Sequence, residues 1–115
     1  MGKVVNLEKI NPLKRDLISD ILAKVNDYEY LDKMIVFGSS TRNDCREDSD
    51  IDIALEWAED CYDEDGVLKM FTLPVYRAIS TVTKGNNDVV CVGYEGELIK
   101  DAVSKGVVVY ERNHV

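Results

Sequence analysis

A chain of 115 residues, 45% hydrophobic and 31% charged, has the make-up of one soluble folded domain and not of a disordered tail. Its net charge of −8 is unevenly spread: the stretch from Arg42 to Gly66 holds eleven acids against Arg42 and Arg46. A surface this acidic argues against direct nucleic-acid binding and suits a divalent cation or a basic protein partner.

No apolar run approaches the roughly 20 residues of a membrane span. The opening MGKVVNLEKI lacks the apolar core of a signal peptide, and Asn6 stands where a myristoylation signal needs Ser or Thr. Cys45, Cys61 and Cys91 form no CxxC pair, and His114 is the sole histidine, so the pattern is not that of a zinc site. The expectation is a cytoplasmic protein with reduced thiols and no membrane contact.

In chain order, Asn11-Pro12 opens a helix, with Asn as cap and Pro in the first turn. Leu13, Leu17, Ile21 and Val25, with Ile18 and Leu22 beside them, predict its apolar face, and the helix should stop before Tyr28. Met34–Phe37 is a continuous apolar run halted by Gly38, as expected of a strand buried on both faces. Ile51–Trp57 predicts a second strand. The dozen residues between the two have no helical period, which marks a functional loop. Cys61–Gly66 reads as loop. Val67–Thr83 has helical spacing through Val75, Ile79 and Val82, with Pro74 marking a start or kink. Asp88–Val92 predicts a third strand. Glu97–Lys105 predicts a helix with Leu98, Ile99, Ala102 and Val103 inward and Gly106 as its stop. Val107–Tyr110 predicts the last strand. The whole is a small α/β domain spanning residues 1–115, with a mixed sheet and helices packed on one side.

Asp50-Ile51-Asp52-Ile53 breaks the apolar pattern of the second strand. Strand alternation points Asp50 and Asp52 to one face and the isoleucines to the other, with the two acidic Cα atoms about 6.6 Å apart. Carboxylates at that spacing can lean together on one or two metal ions; without a cation they repel, and at least one titrates high. Two plainer readings stay open on these residues alone. One is an edge strand with a solvated acidic face. The other is a calcium loop, since Asp48, Asp50, Asp52 and Glu59 fall at ligand positions, although Ile53 stands where that loop needs glycine. Gly38-Ser39, after a buried strand, adds a place where backbone N–H groups and a hydroxyl could meet phosphate oxygens.

Taken together, Ile35-Val36-Phe37-Gly38-Ser39, the ten residues Ser40 to Ser49, and Asp50-Ile51-Asp52-Ile53 resemble the signature of the DNA polymerase β-type nucleotidyltransferase superfamily. The short chain is most similar to its minimal nucleotidyltransferase (MNT) members. Arg42 stands in their arginine position, Asn87-Asp88-Val89-Val90 in their third strand, and Lys105 to Glu111 in their ending. Asn43 stands where their loop has a second glycine, a position asparagine tolerates if the backbone is left-handed. Thr41 replaces a small alanine, and Asp48 a usual proline.

The resemblance implies transfer of a nucleoside monophosphate from a nucleotide triphosphate, ATP with Mg²⁺, to a hydroxyl. It implies that Asp50, Asp52 and Asp88 are the catalytic, metal-holding acids and that Gly38 and Ser39 bind the phosphates. Minimal members commonly pair with a HEPN-domain toxin, which they adenylylate on tyrosine as antitoxins. Two rivals stand beside this reading: an antitoxin that neutralises its partner by occlusion alone, and a small-molecule transferase of the aminoglycoside-modifying type.

Overall fold

The computed structural model describes residues 2–26, 28–58, 73–92 and 96–112. Among these described residues, five strands and three helices follow one another as β1 (Gly2–Val4), α1 (Pro12–Val25), β2 (Leu31–Phe37), β3 (Ile51–Trp57), α2 (Leu73–Thr83), β4 (Asn87–Cys91), α3 (Glu97–Ser104) and β5 (Val107–Arg112). The sheet runs in the order β1-β5-β2-β3-β4. Only β3 and β4 are parallel; β1–β5, β5–β2 and β2–β3 pair antiparallel. The sheet is therefore mixed, as the sequence predicts. The single parallel pair is the one whose connection contains α2, since parallel neighbours need a long crossover.

The predicted elements recur within a few residues of their expected ends. β3 has the bounds read from the sequence, while β2 begins three residues earlier. Two features escaped the pattern. β1 is too short to show an alternation, and its Gly2 lies against the Tyr110 ring, where any Cβ would collide with the phenol. Gly38–Thr41 winds into a single 3-10 turn. The predicted Cys61–Gly66 loop and the Val67–Thr72 part of the expected helix lie outside the described residues, as do Cys61 and His114.

Alternation along β3 divides the core between the two faces of the sheet. Ile51, Ile53, Leu55 and Trp57 join the larger cluster with Ile18, Ile21 and Leu22 of α1 and Val75 and Ile79 of α2. Ala54 points the other way and packs with Phe37 and with Val103 of α3. So α1 and α2 share one side, whereas α3, expected beside them, covers part of the other.

Two helix faces differ from the spacing. In α1, Leu13 is 46% exposed, while Lys14 is 3% exposed beside Ile18, Ile21, Leu22 and Val25. The loop after β2 docks on the first turn of α1, and the lysine that meets it is enclosed while Leu13 is left outside. In α3, Leu98 is 89% exposed and only Val103 is buried. This helix touches the sheet through its last turn, where Ala102 and Val103 lie over the small side chain of Ala54.

Candidate active site at the head of β3 and β4

β3 lies inside the sheet, between β2 and β4. The edge-strand explanation for its acids therefore fails, and its strand geometry also rules out the calcium-loop reading. Asp52 is half-buried, on the face of β3 opposite the fully enclosed Ile51 and Ile53. A carboxylate there is costly unless something compensates it.

What faces Asp52 is a second carboxylate. The parallel ladder sets Asp52 opposite Asp88, so the two side chains stand on the same face of adjacent strands about 4.8 Å apart. Asp50 sits one residue before β3 and is exposed. Its charge nevertheless reaches Asp52. Burial, then the Asp88 charge, then that of Asp50 push the Asp52 carboxyl above the ordinary carboxylate range, while Arg42 pulls it back. The four groups named from sequence pattern thus share one electrostatic environment. The acids are splayed: among the described residues no three acidic, cysteine or histidine side chains are drawn close enough to enclose an ion.

Gly38 explains how the backbone comes so near. Phe37 closes β2 opposite Asp52, and the chain then turns through Gly38 at φ 73°, a left-handed conformation. A Cβ at this position would run into Asp52 Oδ2. The absent side chain is what lets the turn lie against the carboxylate. Thr41 Oγ1 donates to the Gly38 carbonyl at 2.8 Å, and the Arg42 N–H donates to the Ser39 carbonyl at 2.9 Å, which fixes the turn. Ser39 remains partly accessible beside it. Arg42 pairs with Asp44 at 3.0 Å, but both are well exposed, so this pair contributes little to stability.

Asp88 is placed by the turn that precedes it. Lys84 and Gly85 both take positive φ, 56° and 85°. Asn87 Nδ2 donates to Thr83 Oγ1 at 2.7 Å, and that hydroxyl donates to the Ile79 carbonyl at 2.8 Å. The Ile51 N–H donates to the Asn86 carbonyl at 3.1 Å, tying the residue after Asp50 to the residue before β4. Asn43 is outside the left-handed region, in which the non-glycine residues described are Asn6 and Lys84. The exchange of glycine for asparagine in this loop therefore calls for no special backbone.

A donor set of aspartates is hard oxygen chemistry, which suits Mg²⁺ over zinc or copper. Burial is the first cause that raises Asp52, and a divalent cation would also offset the second, the repulsion from Asp88 and Asp50. Sequence reading found Asn11 as a helix cap only and did not find Lys14; hydrogen bonds from both hold the loop between β2 and β3. Lys14 stands in a run of three charged residues with Arg15 and Asp16, so the pattern holds no signal that singles it out.

Residues 18–115 match the family model for the polymerase β nucleotidyltransferases. The chain belongs to that family. No curated protein sequence matches it. Among solved structures it is similar to a toxin–antitoxin complex determined with AMP-PNP, at 18% identity and a TM-score of 0.57, over 85% of this chain and 73% of that one. It is also similar to a mutant of the toxin–antitoxin pair MntA-HpeT, at 19% identity and a TM-score of 0.53, over 95% of this chain and 76% of that one. At such identities these likenesses speak for the fold.

Proposed function

We propose that this chain is an antitoxin of the minimal nucleotidyltransferase type, which moves AMP from ATP to a hydroxyl, a tyrosine in a HEPN-domain toxin. The observation that carries the reading is the register of Asp52 against Asp88, with the Gly38 turn pressed on the first of them. Two carboxylates side by side on interior and edge strands repel each other, and the family's chemistry would give them a purpose. The toxin–antitoxin neighbours, one of them determined with AMP-PNP, support the choice of nucleotide and partner class. The acidic surface of the chain complements a basic, RNA-cleaving partner.

In this reading Asp50, Asp52 and Asp88 hold Mg²⁺. Bound there, the ion would neutralise the triphosphate and the departing pyrophosphate. Gly38 and Ser39 bind the β- and γ-phosphates through the bare backbone of the turn and the Ser39 hydroxyl. Asp88, on the outer strand and exposed, orients the acceptor hydroxyl and takes its proton. Most of the rate gain comes from positioning and charge compensation.

The test is ATP labelled on its α-phosphate, incubated with Mg²⁺, this chain and the product of the neighbouring gene. Label on a tyrosine of that partner is the expected result. Tight binding without label, unchanged by Asp50→Asn, would establish occlusion instead. Label on an added aminoglycoside would make the chain a small-molecule transferase.

A further inference from the structure

The loop from Gly38 to Asp50 carries Ser39 and Arg42 and delivers Asp50 to the head of β3. A loop of this length, with short polar side chains, would ordinarily sample many conformations. Here a single helical turn holds it at three points. The Asn11 N–H donates to the Ser40 carbonyl, Asn11 Nδ2 to the Arg42 carbonyl, and Lys14 Nζ to the Glu47 carbonyl, each at 2.8 Å. Asn11 works in both directions, because its Oδ1 also caps α1 by accepting from the Leu13 N–H at 3.0 Å.

Lys14 is the unusual member. Lysine is seldom enclosed without a carboxylate partner, yet this one is 3% exposed and its ammonium is spent on a backbone carbonyl. That carbonyl belongs to the Arg46–Ser49 turn, closed by the Ser49 N–H on the Arg46 carbonyl and by the Arg46 N–H on Ser49 Oγ, both at 3.1 Å. The next residue is Asp50. A buried hydrogen bond to a charged donor is among the stronger ones a fold can use, so it serves well where a loop must not move.

We propose that Lys14, with Asn11, is a positioning residue for nucleotidyl transfer: the first turn of α1 clamps the loop so that Arg42 and Asp50 stay in register with Asp52 and Asp88. The role rests on the transferase reading above. Neither residue touches the acids; each acts through the loop backbone.

The experiment compares Lys14→Met, which keeps the length but has no donor, with Lys14→Arg, which keeps one. A third variant, Asn11→Asp, retains the capping oxygen and puts an acceptor in place of the donor to the Arg42 carbonyl. Loop opening is read by trypsin cleavage after Arg42 and Arg46, and chemistry by kcat per folded molecule in the labelled-ATP assay. For Lys14→Met and Asn11→Asp, cleavage should quicken about tenfold or more. Their kcat should fall about 10- to 100-fold, and Lys14→Arg should recover part of both losses. Wild-type kcat per folded molecule in Lys14→Met, whatever its melting temperature, would reduce the lysine to a structural part and overturn the proposal. Cleavage at the wild-type rate sinks the clamp alone. A native chain that labels nothing sinks the transferase reading, and the catalytic role of the clamp with it.

Discussion

The pair β3–β4 begins and ends in unlike ways. At its head Asp52 faces Asp88 across the ladder, Asp50 adds a third negative charge, and Gly38 crowds the first carboxylate. At its far end Trp57 Nε1 donates to Cys91 Sγ at 3.4 Å, the Tyr76 hydroxyl lies 2.9 Å from the same sulfur, and the Trp57 and Tyr76 rings pack with centroids 6.3 Å apart. Burial and the thiol hold the Tyr76 phenol well above its ordinary titration range, so it stays protonated. One end has its polar groups matched and its apolar surface enclosed. The other concentrates like charge where a fold alone would not put it. The aromatic end is built for stability, whereas the acidic end holds a carboxyl raised by burial and by its neighbours' charge.

The largest effect should come from breaking the matched end. Trp57→Ala removes a 3%-exposed indole and leaves a cavity beside Cys91 and Tyr76. Denaturant unfolding should show a loss of about 3–5 kcal/mol. The molecules that remain folded should transfer nucleotide at the native rate. A selective loss of kcat would mean that the two ends are coupled and the contrast is wrong.

Asp52→Asn addresses the other end with the opposite signature. Transfer should fall about 10²- to 10³-fold, the scale of removing one preorganised charge-stabilising group, with circular dichroism and cooperative melting retained. Full transfer by this variant would refute the site. Gly38→Ala should be the one change at the head of the strands that harms both properties. The new methyl meets Asp52 Oδ2 and the residue must hold φ 73°, a conformation that costs about 1–3 kcal/mol. An alanine variant with native melting and native transfer would show that the turn does not need to lie against the carboxylate.

The contrast also bears on what could be read without coordinates. β3 was legible because four large apolar side chains alternate with smaller or charged ones, and that period reports directly on a sheet with two unlike faces. Gly38, Asp50 and Asp52 were legible because glycine and paired acids are out of place beside apolar strands. Asp88 was visible only through the family pattern, since an acid after Gly85-Asn86-Asn87 also suits an ordinary strand start; the ladder register is what brings it to Asp52. Leu13 fits the apolar spacing of α1 yet is exposed, because the enclosed position is that of Lys14, whose ammonium meets a carbonyl of a loop more than thirty residues away. β1 could not be seen at all. Three residues carry no period, and their pairing is decided by β5 at the other end of the sequence.

The smallest effect follows from the sign of the Asp52 shift. Its carboxyl titrates above the ordinary range in the folded chain, first through burial and then through Asp88 and Asp50, with Arg42 opposing. Between the unfolded and the folded value the native state holds the proton that the unfolded chain has released, so stability falls as pH rises through that window and is level above it. Asparagine carries no charge to be penalised. The melting temperature of Asp52→Asn should therefore match that of the native chain below the ordinary carboxylate range, climb above it across the window, and stay above it at neutral pH. The difference between the two proteins isolates this one group from the other acids of a strongly acidic chain. Added Mg²⁺ should raise the native protein towards the variant and leave the variant nearly unmoved, because binding at the acids removes the same repulsion that asparagine removes. A variant less stable than the native chain at neutral pH, or a difference that ignores pH, would mean that Asp52 is compensated within the fold and has no need of a cation.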